Sequence, residues 1–224
     1  MLGVDLFSGA GGMSLGAQMS GIDVAVAIES DKYACATYAA NHKNTTLLNE
    51  DIRSVRSIKL PSRRKPLILF GGPPCQGFST SNQRTRHAAN SGNWLFKEYV
   101  RLVKVLKPDW LVFENVRGIL ETEGGLFLEC ILSSFQKAGY SLSWGIINAK
   151  DFSVPQNRSR LFIVGSRHGL TVALPAPLTS TPITVADAIE DLPDLPNGAS
   201  DCKLPYRREP RSEYCRLMSG QARD

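Results

Sequence analysis

The chain has 224 residues, 42% of them apolar, and 26 Lys and Arg against 21 Asp and Glu leave a formal charge of +5. That length suits one domain with a sizeable core, and no run of about eighteen apolar residues offers a membrane span. Met1 leads directly into an apolar stretch without the basic segment of a secretory signal, so a cytoplasmic protein is expected.

The chain opens on Leu2–Phe7, a short apolar run that reads as a buried strand. Gly12–Ser20 reads as a helix, Ile22–Ile28 as a second strand, Asp31–Asn41 as a second helix, and a short third strand ends at Asp51. Leu67–Phe70 and Trp110–Phe113 are further strands. Between them, Leu95, Tyr99, Leu102 and Leu106 recur at helical spacing within 93–107, and Pro108 stops that helix. Leu126–Ala138 is a helix closed by Gly139, and Ser141–Ile147 and Leu161–Val164 are the last strands. Alternation of this kind predicts an α/β domain over residues 1–165, with a mostly parallel sheet covered on both faces. Residues 166–224 form a Pro-rich extension of mainly extended chain, with one helix at Val185–Asp191 that Thr184 and Asp187 cap reciprocally.

The five cysteines, at 35, 75, 130, 202 and 215, form no C-x-x-C pair, and the three histidines lie far apart. This excludes a disulfide framework and a zinc site, and no metal is expected. Cys35 and Cys130 fall in helical patterns, where buried structural thiols are common. The basic residues gather in two loops, Lys59, Arg63, Arg64 and Lys65 in one, Arg84, Arg86 and His87 in the other.

Ligands of open α/β sheets bind at the carboxyl ends of the strands. Asp5-Leu6-Phe7-Ser8-Gly9-Ala10-Gly11-Gly12 ends the first strand and opens the first helix. Its glycines permit a sharp turn and close approach of a ligand, and the helix start offers free N–H groups. Glu29, at the end of the next strand, is spaced to accept hydrogen bonds from ribose hydroxyls. The turn lacks the full G-x-G-x-x-G pattern, which favours an adenosine without a pyrophosphate over a dinucleotide. Asp51 is either an acceptor for an adenine amino group or an ordinary loop cap.

Gly71-Gly72-Pro73-Pro74-Cys75-Gln76-Gly77-Phe78-Ser79 follows the fourth strand. Its glycines and prolines fix an unusual backbone that exposes Cys75 at the sheet's carboxyl edge. Arg84 and Arg86 favour its thiolate. The neighbouring strand ends in Glu114-Asn115-Val116, which places a carboxyl group rather than a histidine base beside the thiol. Arg158 and Arg160 alternate, so on a strand they point to one face, where they hold a carbonyl oxygen, a phosphate or Glu114.

Taken together, DLFSGAGG, GGPPCQGFS, FENVRG and QNRSRLFIVG resemble, in order and spacing, four motifs of the cytosine-C5 DNA methyltransferase family. The resemblance implies a seven-stranded, Rossmann-like sheet that binds S-adenosylmethionine and releases S-adenosylhomocysteine. It assigns Phe7, Gly9, Ala10, Gly11, Gly12, Glu29, Asp51, Ile52, Pro74 and Leu95 to the cofactor. It assigns Cys75, Glu114, Arg158 and Arg160 to catalysis, and Gln76, Ser79, Arg84 and Arg86 to duplex DNA carrying a flipped cytosine. A bacterial, nucleoid-associated restriction–modification enzyme is the implied setting. The family's target-recognition region and C-terminal motifs are not found before Asp224, so the chain is expected to be a fragment, a truncated product or one chain of a split enzyme. An apolar patch is then expected where the returning segment packs. Three other readings stay open: methylation of tRNA by the same chemistry, a non-catalytic module that binds nucleic acid or a partner chain, and a nicotinamide dehydrogenase.

Overall fold

The structure, a computed structural model, describes residues 1–61, 65–74, 95–178, 182–200 and 203–220. Cys75 and the residues expected to meet DNA, Gln76, Ser79, Arg84 and Arg86, lie outside the described residues, as do Arg63 and Arg64 of the other basic cluster.

Among the described residues the strands are β1 (Leu2–Leu6), β2 (Asp23–Glu29), β3 (Thr46–Asn49), β4 (Leu67–Gly71), β5 (Trp110–Val116), β6 (Ser141–Asn148) and β7 (Ser159–Ser166). They form one seven-stranded sheet in the order β3-β2-β1-β4-β5-β7-β6. The pairings from β3 across to β5 are parallel, and β7 runs antiparallel to β5. The helices are α1 (Gly12–Met19), α2 (Lys32–Asn41), α3 (Leu95–Leu106), α4 (Leu126–Lys137), α5 (Val185–Ile189) and α6 (Glu213–Met218). No described helix is long and apolar enough to cross a membrane. The expected α/β order is thus present. β3 ends at Asn49, however, so Asp51 lies in the following turn rather than on the strand.

The chain gathers into two compact units. The larger, Met1–Ile146 with Arg160–Leu174, holds the core. The apolar spacing read in α3 presents Tyr99, Leu102 and Leu106 to the sheet, all buried. The Tyr99, Phe113 and Phe135 rings meet edge to face with centroids 5.3 to 5.8 Å apart. The buried Tyr99 hydroxyl reaches the carbonyls of Leu69 and Val112, each at 3.0 Å, which ties α3 to β4 and β5. Cys35 is buried as expected, whereas Cys130 is exposed on α4: the buried side of that helix is Leu128, Ile131 and Phe135, and Cys130 falls off that stripe.

Phe113 meets α3 and α4, so by strand alternation Trp110 and Val112 point to the opposite sheet face. There Ile68 is in register with Trp110, Val112 with Val164, and Glu114 with Phe162. All these apolar side chains are only partly buried, unlike Leu111, Phe113, Leu161 and Ile163 on the other face. An incompletely covered apolar stripe therefore runs across β4, β5 and β7.

The smaller unit comprises Ile147–Ser159 and Pro175–Asp224. The Thr184–Asp187 capping box starts α5 as the sequence indicates. The tail expected to be extended also contains α6, which starts at Ser212, whose hydroxyl accepts the Cys215 N–H. A carboxylate builds this second helix into the unit. Glu190 accepts the backbone N–H groups of Arg211 and Ser212 and pairs with Arg208.

At Gly71 the last residue of β4 passes against β1 so closely that an added Cβ would lie 2.0 Å from the Leu6 carbonyl oxygen, at a φ of 151°. Gly71→Ala is therefore expected to destabilise the protein by about 3 kcal/mol, the upper part of the overpacking range. A shift in the urea midpoint measures it, and an unchanged midpoint would contradict the register of β1 and β4.

Candidate active site at the strand carboxyl ends

The carboxyl ends of β1, β2 and β4, with the turn after β3 and the start of α3, enclose a cavity of about 390 Å³. Its lining combines Phe7, Ile28, Ile52, Pro74 and Leu95 with the charged residues Glu29, Glu50, Asp51 and Arg53. Phe7, Glu29, Asp51, Ile52, Pro74 and Leu95 were all singled out in the sequence, and the fold brings them together. Gly9, Ala10, Gly11 and Gly12 shape the adjoining turn rather than the cavity wall. Gly72 of the GGPPCQGFS motif also lines it, as do Ile28, Ser30, Glu50 and Arg53, which carried no motif signal of their own.

The turn after β1 is held by a carboxylate. Glu29 Oε2 accepts the Gly9 N–H at 2.9 Å, and Oε1 accepts those of Ser30 and Asp31 at 2.7 and 2.8 Å. One side chain thus ties the glycine turn to the end of β2 and the start of α2. Phe7 is held at φ 61°, a left-handed conformation unfavourable for a residue with a Cβ and typical of places where the surroundings over-determine a functional backbone. Its ring is a wall of the cavity.

Below this turn lies a polar cluster that sequence reasoning missed. Asp5 is 1% exposed. Its Oδ2 accepts from the Ser14 hydroxyl at 2.7 Å, and Ser14 Oγ in turn meets the Tyr38 hydroxyl at 2.7 Å. Among the described residues, Asp5 Oδ1 and Ser8 Oγ are buried without a protein partner. Burial, reinforced by the charge of Glu29, pushes the Asp5 carboxyl up to about 7. Only the starting residue of this cluster stood in a recognisable motif. Ser14 and Tyr38 reach it from two helices, by contacts that periodicity cannot reveal.

The second group lies at the ends of β4, β5 and β7. Val116 pairs with Arg160 across the β5–β7 ladder, and two residues earlier on the same strand face Glu114 Oε1 meets Arg160 Nε at 3.0 Å. Glu114 Oε2 lies where a Gly72 side chain would begin, 2.5 Å from an ideal Cβ. Only glycine there lets the carboxyl group stand against the backbone leading to Cys75. Asn115, which points to the other face and is buried, donates to the Pro73 carbonyl at 3.1 Å and accepts the Val116 N–H at 2.8 Å. It clamps the Pro-Pro segment to β5. Arg158 departs from the expected arrangement. β7 begins at Ser159, so Arg158 precedes the strand and does not share its alternation with Arg160. Its side chain is exposed, while its N–H and carbonyl are held by Asn148 and Ala149 within the smaller unit.

Asp51 faces Arg53. Hydrogen bonds from Arg53, from both its side chain and its backbone, draw the Asp51 carboxyl down to about 2.

A family profile described as "C-5 cytosine-specific DNA methylase" matches residues 1–214. Over 205 residues the chain is 38% identical to the type II methyltransferase M1.HphI of Haemophilus parahaemolyticus, covering 90% of this chain and 55% of that protein. It is 38% identical over 187 residues to M.AquIA of Picosynechococcus, covering 78% of this chain and 75% of that protein. A solved structure described as a DNA modification methyltransferase encoded within an E. coli prophage superposes with a TM-score of 0.71 at 31% identity, over 87% of this chain and 56% of that one. The chain spans about half the length of the first curated relatives it matches.

The stability contributed by Asp5 is fully present below its unfolded value of about 4 and is lost as pH rises through about 7, because the buried carboxyl favours its proton. The melting temperature of the wild type should therefore fall between pH 5 and 8. Asp5→Asn, which has no proton to lose, should reduce that slope. Parallel profiles for the two proteins would contradict a protonated Asp5.

Proposed function

Because the chain belongs to the C-5 cytosine-specific DNA methylase family, we propose that it forms the cofactor-binding and catalytic part of an enzyme that methylates C5 of cytosine in duplex DNA. The observation that carries this reading is the placement of Glu114, paired with Arg160 and packed against Gly72, immediately before the Cys75 segment.

The cavity suits the adenosine part of S-adenosylmethionine. Its volume lies in the usual range for small ligands. Its apolar walls can sandwich a base, its carboxylates can accept from hydroxyl and amino groups, and the one cation lining it among the described residues, Arg53, is already paired with Asp51. A pyrophosphate would meet three carboxylates there, which disfavours the dinucleotide reading. A carboxylate offers about four acceptor sites. Three backbone N–H groups occupy Glu29, leaving capacity for roughly one ribose hydroxyl. Phe7, Ile52, Pro74 and Leu95 would contact the base and sugar, with Asp51 accepting from the amino group of the base. The bound cofactor supplies the electrophilic methyl group.

Cytosine C5 is a poor nucleophile. Addition of the Cys75 thiolate to C6 forms a C–S bond and shifts electron density through the ring to C5. Glu114 holds N3 and stabilises the charge displaced onto the ring, while Arg160 fixes Glu114 and the base's O2. C5 takes the methyl group, with S-adenosylhomocysteine as the leaving group; its proton then passes to water, and the C–H electron pair re-forms the C5–C6 double bond as the Cys75 thiolate is expelled. Target C5 atoms are inaccessible in a stacked duplex, so the base has to be extruded, at a cost of a few kcal/mol. Gln76, Ser79, Arg84 and Arg86 are proposed to offset that cost on the DNA, with Arg158 orienting the substrate or its phosphate.

Target selection is assigned to a further protein segment, on the same chain or a second one. The partly buried stripe of Ile68, Trp110, Val112, Phe162 and Val164 is the apolar surface such a segment would cover.

The test is covalent trapping. Duplex DNA of mixed sequence containing 5-fluorocytosine, incubated with S-adenosylmethionine and the protein carrying its recognition segment, should yield a denaturant-stable complex. Cys75→Ala should yield none while still binding S-adenosylhomocysteine. Glu114→Gln should slow transfer roughly 100- to 10,000-fold, the range of a lost acid–base group. A covalent complex with Cys75→Ala, or transfer to tRNA in place of DNA, would overturn the proposal.

A further inference from the structure

Arg53 lines the cavity and has no part in the chemistry described so far. Its contacts with Asp51 come from three N–H groups. Asp51 Oδ1 accepts the Arg53 backbone N–H at 2.9 Å and shares Nε at 3.0 Å, while Oδ2 accepts Nε at 3.1 Å and Nη2 at 2.5 Å. The next residue is fixed from the other side. Ile52 is buried, and its carbonyl accepts Arg101 Nη2 from α3 at 3.0 Å; Glu98 holds Arg101 in place through Nε at 2.7 Å. The turn 51–53 is therefore locked at a backbone carbonyl and at a carboxylate.

Both members of the Arg53–Asp51 pair are well exposed, with 64% and 43% of their side-chain surfaces accessible. Pairs this exposed add little to stability. What the geometry supplies is direction. A free Asp side chain samples several rotamers, whereas this one is held by a planar fork and a backbone N–H at once. With about four acceptor sites on a carboxylate and three donors from Arg53, roughly one site remains. It belongs to an ionised group that accepts and cannot donate. Such a site matches one N–H of a 6-amino purine. A 6-oxo purine would present a carbonyl oxygen to it, two acceptors facing each other.

We infer that Arg53 is a positioning residue that fixes Asp51 as a one-site acceptor and so makes the cavity selective for an adenine over a 6-oxo purine. This inference rests on the cofactor reading given above.

Titration calorimetry with S-adenosylhomocysteine and S-inosylhomocysteine tests it without requiring turnover. The wild type should prefer the adenosyl ligand roughly 10- to 100-fold, the value of one hydrogen bond to a charged group. Arg53→Gln should weaken the adenosyl ligand about fivefold, leave the inosyl ligand nearly unchanged and narrow the preference. Arg53→Lys should recover part of it. The decisive arm is the cycle with Asp51→Asn. If Arg53 acts through Asp51, Arg53→Gln should have no further effect in that background. Full selectivity in Arg53→Gln, or the same loss with and without Asp51, overturns the inference while leaving the cofactor site standing. Failure of the wild type to bind either ligand overturns both. The thermal midpoint of ligand-free Arg53→Gln should match the wild type.

Discussion

The Glu29 carboxylate is the point on which the cavity side of the structure depends. It receives N–H groups from the glycine turn after β1 and from the two residues that begin the path into α2. Without that acceptor, three backbone donors at the open end of the sheet would compete for water, and the turn would lose its fixed relation to β2. With it, Phe7 is held in a conformation that its Cβ resists, and its ring stays on the cavity wall. The same arrangement has an electrostatic consequence beneath the turn. Desolvation opposes ionisation of the buried Asp5, and the negative charge of Glu29 opposes it further.

The Glu114 side follows a different logic. There the constraint is space. Gly71 crosses β1 at a distance no side chain permits, and Gly72 leaves room only for the Glu114 carboxyl group. Glu114, Arg160 and the Pro73–Pro74 backbone therefore converge because strands β4, β5 and β7 are neighbours in a set register. Asn115 uses the opposite face of β5 to anchor Pro73. Alternation along one strand thus delivers a charged group to the site and a clamp to its support.

Much of this was legible in the chain itself. The period of Leu95, Tyr99, Leu102 and Leu106 gave a helix with its buried face, and short Val- and Ile-rich runs gave strands, because local side-chain direction follows from backbone period alone. The Thr184–Asp187 cap likewise needs only its own turn. The readings that changed are those that depended on where an element stops, on the phase of a helix face, or on whether a short stretch folds at all. Arg158 lies one residue before β7 begins, Asp51 two residues past the end of β3, Cys130 just outside the buried stripe of α4, and α6 is a helix of six residues in a stretch punctuated by prolines. A shift of one residue in boundary or phase decides the first three, and tertiary contacts such as those of Glu190 decide the last.

The amino-acid sequence by itself determined the order of strands and helices, the glycine turn with its acidic partner, and the presence of a thiol, a carboxyl group and an arginine in motifs at strand ends. Only the tertiary structure decided that Glu114 pairs with Arg160, that Ser14 and Tyr38 close on Asp5, and that Arg53 takes up most of the Asp51 carboxylate. The reason is physical. Periodicity and turn chemistry act over a few residues, whereas these contacts depend on side-chain rotamers and, for the first two, on strand register and helix packing that bring together groups from distant parts of the chain.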